Sequence, residues 1–406
     1  MLIKIPQTEQ ITLPLDARIL VVKLASIGDL LLATPALRAL HETYPLGRID
    51  LLVTPESADL LQGWDAIHKI IVLDKYLFDS LSQVVKHPRR LLRLLEFNNL
   101  LRAGEYDAVL LLHHLTLPFG RLKHQFLALA SGARWRVGLD NGYGWFLNVR
   151  VRDEGFGARH EAEYYMAVAE AAGAKVRDRN LYVPLDEEER AQARRLVYGD
   201  SGTGSVQHPI IALHAGSGSY STARRWPVER FARLADMLYR EFGGQLLLVG
   251  GPEEIELHRQ LIDKMRTTMP VRSLAGRSSI RVTAAVMELV DLFIGNDAGP
   301  MHLAAAAGTP VVAIFGPSNY RAWGPYTGSI TEKRAEVVHL DLSCMPCFYR
   351  GHDLGTPEGC ATRDCLTMLG VGSVLKAARR LLKERRRREQ ATTKEEVSQQ
   401  PAGQAG

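Results

Sequence analysis

Residues 291–316 constrain the fold more than any other stretch of this chain. They run Asp-Leu-Phe-Ile-Gly, Asn-Asp-Ala-Gly-Pro-Met-His, Leu-Ala-Ala-Ala-Ala-Gly and Thr-Pro-Val-Val-Ala-Ile-Phe-Gly. Two apolar runs of strand length flank a helical segment of small residues that begins near Gly299. An apolar run without polar alternation is a strand buried on both faces, which a parallel sheet covered by helices provides. The alanines at 304–307 let the connecting helix lie tightly on that sheet. Free backbone N–H groups at the helix start form a ready anion site, and His302 stands in the first turn. A phosphate-bearing ligand is one reading. An ordinary turn relieved by glycine is the other, since such turns are common in parallel α/β folds.

The same alternation recurs along the whole chain. Strands are expected at 18–24, 49–54, 70–73, 107–112, 209–214, 245–250, 291–295 and 310–315. Helices are expected at 29–43, 227–242, 253–268, 283–289 and 300–307. At 406 residues the chain exceeds what one core usually organises, so two domains are expected. The Gly-Asp-Ser-Gly-Thr-Gly-Ser run near residue 200 reads as a linker. The expected architecture is α/β, with two Rossmann-like doubly wound domains facing a cleft. The expected segments are 1–198, a linker at 199–208, a second domain at 209–370, a basic helix at 371–389 and a disordered tail at 390–406.

Charge narrows the class of partner. The formal net charge is +5, yet residues 376–389 alone hold eight basic and two acidic side chains, so the remainder is nearly neutral. A nucleic-acid footprint would spread over a folded face, so no nucleic-acid partner is expected. A basic helix could instead meet an anionic membrane surface, or be a solvated helix end. No run reaches the ~20 apolar residues a membrane span needs, and the start shows no signal-peptide pattern. A cytoplasmic protein is expected, with peripheral membrane contact as an option.

Five motifs carry possible chemistry. Lys23-Leu-Ala-Ser26-Ile-Gly28-Asp29 lies at the carboxyl end of the first strand, where open α/β sheets place ligands. Gly28 suits a tight turn, and Asp29 would also serve as an ordinary helix cap. The second and third glycines of a dinucleotide fingerprint are missing, which argues against NAD. The segment 214–227 offers Ser217, Ser221 and Thr222 as donors and Arg224 as a fork for phosphate, without the Gly-Lys-Ser/Thr of a P-loop. In Gly250-Gly-Pro-Glu253-Glu254 a carboxylate could accept from ribose hydroxyls or simply favour a helix start. The four cysteines, Cys344, Cys347, Cys360 and Cys365, have spacing near that of a zinc ribbon with an atypical second pair. A structural zinc and a reduced loop both remain open, since a cytoplasm disfavours disulfides. Finally, Arg89, Arg90 and Arg93 sit on an amphipathic helix, and Arg121 and Lys123 follow a strand. They would suit an acidic acceptor if they face a cleft, or form a solvated face.

Taken in order, these segments resemble the heptosyltransferases of glycosyltransferase family 9, which have the GT-B fold. The matching residues are Ser26-Ile-Gly28-Asp29 with Thr34-Pro35 and Tyr44-Pro45, then His214-Ala-Gly216-Ser217 with Arg225-Trp226-Pro227. Gly250-Gly-Pro252-Glu253-Glu254, Asn296-Asp297-Ala298-Gly299-Pro-Met-His302 and Phe315-Gly316-Pro317 follow. The resemblance spans residues 18–385. It implies inverting transfer of a heptose from ADP-heptose to a sugar hydroxyl of a lipid-A-linked lipopolysaccharide core, at the inner membrane. It implies Asp29 as general base, and a donor site of Ser217, Ser221, Thr222, Arg224, Glu253 or Glu254, Asp297, Ala298, Gly299 and His302. The acceptor would meet Ser26, Gly28, Arg89, Arg90, Arg121 and Lys123. No cofactor is implied for catalysis. Arg224 stands where many members carry Lys, the 216–224 loop is longer, and residues 75–104 match poorly. These departures bear on which sugar moves and to what. Another nucleotide sugar in surface polysaccharide assembly, or a non-catalytic nucleotide-sugar-binding protein on the same fold, are the alternatives.

Overall fold

The computed structural model describes residues 10–73, 88–199, 207–218, 221–328, 334–347 and 359–399. These form two compact units. The first takes the described residues up to Asp186 with those in 317–330 and 343–359. The second takes those in 187–316, in 331–342 and from Cys360 onward.

In the first unit six parallel strands form one sheet: β1 (Arg18–Lys23), β2 (Arg48–Val53), β3 (Lys69–Val72), β4 (Ala108–Leu111), β5 (Trp135–Asp140) and β6 (Val149–Arg152). Their order is β3-β2-β1-β4-β5-β6. The second unit repeats the plan with β7 (Ile210–His214), β8 (Gln245–Leu248), β9 (Val271–Ser273), β10 (Leu292–Asn296), β11 (Val311–Ile314) and β12 (Ala335–Val338). Its order is β12-β11-β10-β7-β8-β9, again with every pairing parallel. In both units the chain winds outward from the first strand, then returns to its other side. A crevice therefore opens at the carboxyl ends of β1 and β4, and another at those of β7 and β10, the positions where doubly wound sheets take ligands. The α/β, doubly wound expectation holds in both halves.

The central strands are apolar because both faces are covered. Val21 pairs with Leu51 on one side and Leu110 on the other, and Ile294 with Leu213 and Val312. The helix Val228–Phe242 buries Phe231, Leu234, Ala235 and Leu238 at helical spacing. Each such Phe or Leu contributes about 1.5–3 kcal/mol when fully covered. The strands that sequence patterning missed are β5, β6, β9 and β12. The last three lie at sheet edges and are only half covered, so they lack the continuous apolar run that marks a central strand.

Several expected boundaries change. The single helix at 29–43 is two, Ile27–Leu32 and Thr34–Thr43, with Pro35 in the first turn of the second. The helix Glu187–Tyr198, inside the expected first segment, belongs to the second unit, where Arg281 bonds Glu189 (2.9 Å) and Arg190 bonds Glu288 (2.9 Å). Most of the expected linker, 200–206, lies outside the described residues. The basic helix runs over Val371–Gln399, ten residues past 389 and into the expected tail; residues 400–406 lie outside the described residues. It buries Val374, Leu375, Ala378, Leu381 and Leu382. Its arginines are partly spent within the unit: Arg379 bonds Glu241, Arg380 bonds Glu336, and Arg385 bonds Asp291. Among the described residues no helix is long and apolar enough to cross a membrane.

Candidate active site

At the carboxyl end of β1 the chain leaves the sheet through Leu24, Ala25 and Ser26 and enters the helix Ile27–Leu32. Ser26 occupies the cap position, and Asp29 is the third helical residue. Asp29 is therefore not the cap that its sequence position suggested. Its Oδ2 accepts from the Ser26 hydroxyl (2.8 Å), and its side chain keeps 25% of its surface exposed. Gly28 likewise lies inside the helix, buried, and not in a tight turn.

Behind Asp29 lies a row of buried ionisable groups. Lys23, the last residue of β1, is 2% exposed, and its Nζ is 3.9 Å from Asp29 Oδ1. Lys23 donates to the Leu112 carbonyl (3.0 Å) and to Tyr165 Oη (2.5 Å). Tyr165 donates to Glu161 Oε2 (2.9 Å), and Glu161 Oε1 meets His114 Nε2 (3.0 Å). His114 Nδ1 lies 2.9 Å from Asp153 Oδ1. Burial pushes the Lys23 ammonium below its ordinary range, while Asp29 and Glu161 pull it back. Burial also works against a charged His114, but Glu161 and Asp153 outweigh it and hold the imidazole up at about 9. Its neighbour His113 accepts from the Leu24 N–H (2.7 Å). Burial, with His124 and Lys23 nearby, holds it well below the usual imidazole range.

The second unit dresses the equivalent strand ends differently. After β7, residues 215–218 and the short 3-10 turn Thr222–Arg224 form a loop; residues 219–220 of this motif lie outside the described residues. Arg224 spans the switch point: it donates to the Ser217 carbonyl (2.9 Å), to the Asp297 carbonyl (3.0 Å) and to Asp297 Oδ2 (3.4 Å). Arg225 donates to Ser217 Oγ (3.1 Å), which itself donates to the Ser221 carbonyl (2.5 Å). Asn296, fully buried at the end of β10, staples the loop by donating to the Ala215 and Gly216 carbonyls and accepting the Trp226 N–H. Beyond Asp297, Ala298 is extended and caps the helix Gly299–Ala306 without any side-chain hydrogen bond. The cap residue thus offers the first-turn N–H groups no side-chain acceptor, which suits an anion site. His302 is buried in that helix, and Thr222 is exposed on the loop.

The two candidate ribose carboxylates separate. Glu253 is exposed, whereas Glu254 is 2% exposed and bonds His214 Nε2 (3.0 Å). Burial would raise its carboxyl, but the bond and charge of His214, with His258 and Arg225, hold it below the usual range. A Cβ on Gly216 would lie 1.5 Å from Glu254 Oε1, and one on Gly250 2.1 Å from Oε2. Both glycines are therefore needed for this carboxylate to lie against the backbone.

The remaining expected residues fall as follows. Arg89 and Arg90 are on the helix Pro88–Ala103, with side chains outside the described residues. Arg121 and Lys123 stand on the helix Pro118–Ala130, and Arg121 is committed locally: it donates to the Leu115 carbonyl and stacks 3.2 Å over the Tyr143 ring. Cys344 and Cys347 belong to the first unit, and Cys360 and Cys365 to the second. Among the described residues no group of three or more His, Cys, Asp or Glu is placed to hold a metal ion. Cys365 is buried, and Cys360 Sγ accepts the Arg363 N–H. Sequence reading gave no role to Lys23, His114, Asp153, Glu161 or Tyr165, nor to His214, Arg225 and Asn296. The available signals were a lysine ending an apolar strand, paired histidines after β4, and Glu161 four residues before Tyr165 on one helix face.

Comparison with known proteins gives a consistent result. The profile of glycosyltransferase family 9 (heptosyltransferase) matches residues 94–356. Lipooligosaccharide heptosyltransferase 2 of Campylobacter jejuni is 31% identical over 175 residues, 43% of this chain and 51% of the relative; the match thus spans about half of that protein. Lipopolysaccharide heptosyltransferase 3 of Escherichia coli is 25% identical over 75% of this chain and 85% of its own length. Among solved structures, the family 9 glycosyl transferase of Veillonella parvula is 28% identical, with a TM-score of 0.68 over 92% of this chain and 99% of its own. The ADP-heptose heptosyltransferase II of E. coli, 22% identical over 90% of this chain and 99% of its own, shares the fold with a TM-score of 0.65. The GT-B expectation is thereby met, and the chain belongs to glycosyltransferase family 9, the heptosyltransferase family.

Proposed function

We propose that this protein transfers a heptose from ADP-heptose to a sugar hydroxyl of a lipopolysaccharide core, with inversion at the anomeric carbon. The observation that carries the reading is the paired dressing of two equivalent strand ends. One offers an accessible carboxylate, Asp29, and the other a guanidinium, Arg224, beside an uncapped helix start. The names of the relatives support the substrate class, and an E. coli heptosyltransferase has been solved with ADP.

In this reaction Asp29 accepts the proton of the acceptor hydroxyl as its oxygen attacks the anomeric carbon. The bond from that carbon to the diphosphate oxygen breaks, and ADP leaves. One displacement inverts the centre. Asp297, Ala298, Gly299 and His302, with Ser217, Ser221, Thr222 and Arg224, hold the diphosphate, where charge grows as the bond breaks. Glu253, exposed beside the buried Glu254, is the better placed of the two to reach ribose hydroxyls. Ser26, Arg89, Arg90 and Lys123 serve the acceptor, on the cytoplasmic face of the inner membrane, whereas Gly28 is buried in its helix and Arg121 is held by the Leu115 carbonyl and the Tyr143 ring. Thermal denaturation with ADP and with UDP tests the donor class: ADP should raise the midpoint and UDP should not. The reverse result would assign another nucleotide sugar, and a shift from neither would contradict a nucleotide-sugar transferase.

A further inference from the structure

The buried row behind Asp29 is larger than a fold needs. Lys23, Glu161, His114 and Asp153 are all almost fully enclosed, and each buried ion costs several kcal/mol that its partners only partly offset. Apolar residues of similar size would fasten the helix Glu161–Ala171 to the strand ends as well or better. The row has an asymmetric layout. At its inner end Asp153 and His114 are sealed, whereas its outer end is Asp29, the one member open to solvent. Each link has a single geometry: His114 to Glu161, Glu161 to Tyr165, Tyr165 to Lys23, and Lys23 facing Asp29 Oδ1 across 3.9 Å. Lys23 is fixed further by the Leu112 carbonyl and by the Tyr165 ring, 3.9 Å from its Nζ to the centroid.

We propose that His114, Glu161, Tyr165 and Lys23 act as a positioning device for Asp29. Resting on the function proposed above, the device fixes the carboxylate from within, so that one oxygen faces Lys23 while Ser26 holds the other. No proton travels along the row; the proton taken from the acceptor leaves Asp29 to solvent. A reacting carboxylate has to be held within a fraction of an ångström, and supports of this kind affect turnover more than substrate affinity.

Tyr165→Phe tests this with the least disturbance, because the ring stays and only the hydroxyl linking Glu161 to Lys23 is lost. The expected result is a roughly tenfold fall in kcat, with donor and acceptor KM within twofold of the parent; the melting midpoint falls too, because two buried ions lose a partner, but the variant is assayed well below it. In an Asp29→Asn background the same change should cost nothing further, because there is no carboxylate left to position. Glu161→Gln, which keeps shape and hydrogen bonding, should fall between the parent and Tyr165→Phe. Parental kcat in Tyr165→Phe overturns the proposal alone, provided Asp29→Asn is inactive. A loss that multiplies with that of Asp29→Asn, or one confined to KM, also overturns it. Parental turnover in Asp29→Asn instead overturns the base assignment, and with it the device.

Discussion

The two units share one strand order and place their functional groups at the same point of it, yet the groups differ in kind. At the ends of β1 and β4 stands an alternating row of buried charges that surfaces as one carboxylate. At the ends of β7 and β10 stand a guanidinium, a serine-rich loop and a helix start free of side-chain capping. The first arrangement can accept a proton. The second can hold growing negative charge. The comparison teaches that the doubly wound sheet supplies a location and says nothing about chemistry; the residues that follow its first and fourth strands decide that.

The largest effect is expected from removing the proposed proton acceptor. Asp29→Asn should lower the transfer rate by ~10²–10⁴-fold, the range of general-base contributions. Next, Arg224→Ala should weaken ADP binding by ~10–100-fold, as expected for a charge-assisted hydrogen bond worth about 1.5–3 kcal/mol. Arg224→Lys should recover part of this, because the charge returns without the fork. Equilibrium titration with ADP checks both variants.

The units should also respond to opposite ends of the pH scale. In the first, His114 is held up at about 9, above its unfolded value near 6.5. Its contribution to stability is complete below pH ~6.5 and is lost as pH rises through about 9. In the second, Glu254 is held below its ordinary range by His214, so its contribution is present above pH ~4.5 and is lost as pH falls through the folded value. Denaturant melts at several pH values should therefore show the alkaline loss flattened by His114→Gln and the acid loss flattened by Glu254→Gln. Each effect is a few kcal/mol at most. The smallest change belongs to the C-terminal helix. Arg379→Ala breaks a partly exposed pair with Glu241 and should cost under about 1 kcal/mol in the same melts.

Much of this was legible in the sequence, for definite reasons. Central strands such as β1, β7 and β10 announce themselves because both faces are covered and their inner residues form an apolar run. Glycine-marked helix starts at 28 and 299 point to the switch points. Edge strands such as β9 and β12 escape because half-exposed residues lose the pattern. The loops after β7, β8 and β10 could be picked out because each is one contiguous motif of at most fourteen residues. The positioning row could not, since Lys23, His114, Asp153, Glu161 and Tyr165 come from four places separated by up to 142 residues, and only folding brings them together. From the sequence, Glu253 and Glu254 are equal candidates for a ligand-facing or helix-start carboxylate; only the fold shows His214 at hydrogen-bond distance from Glu254.

The division of labour between the two units is tested most directly by measuring ADP affinity and heptose transfer on the same preparation of Asp29→Asn. Transfer should collapse by at least a hundredfold while the ADP dissociation constant stays within twofold of the parent. Parental transfer, or a matching fall in ADP affinity, would contradict this division of labour.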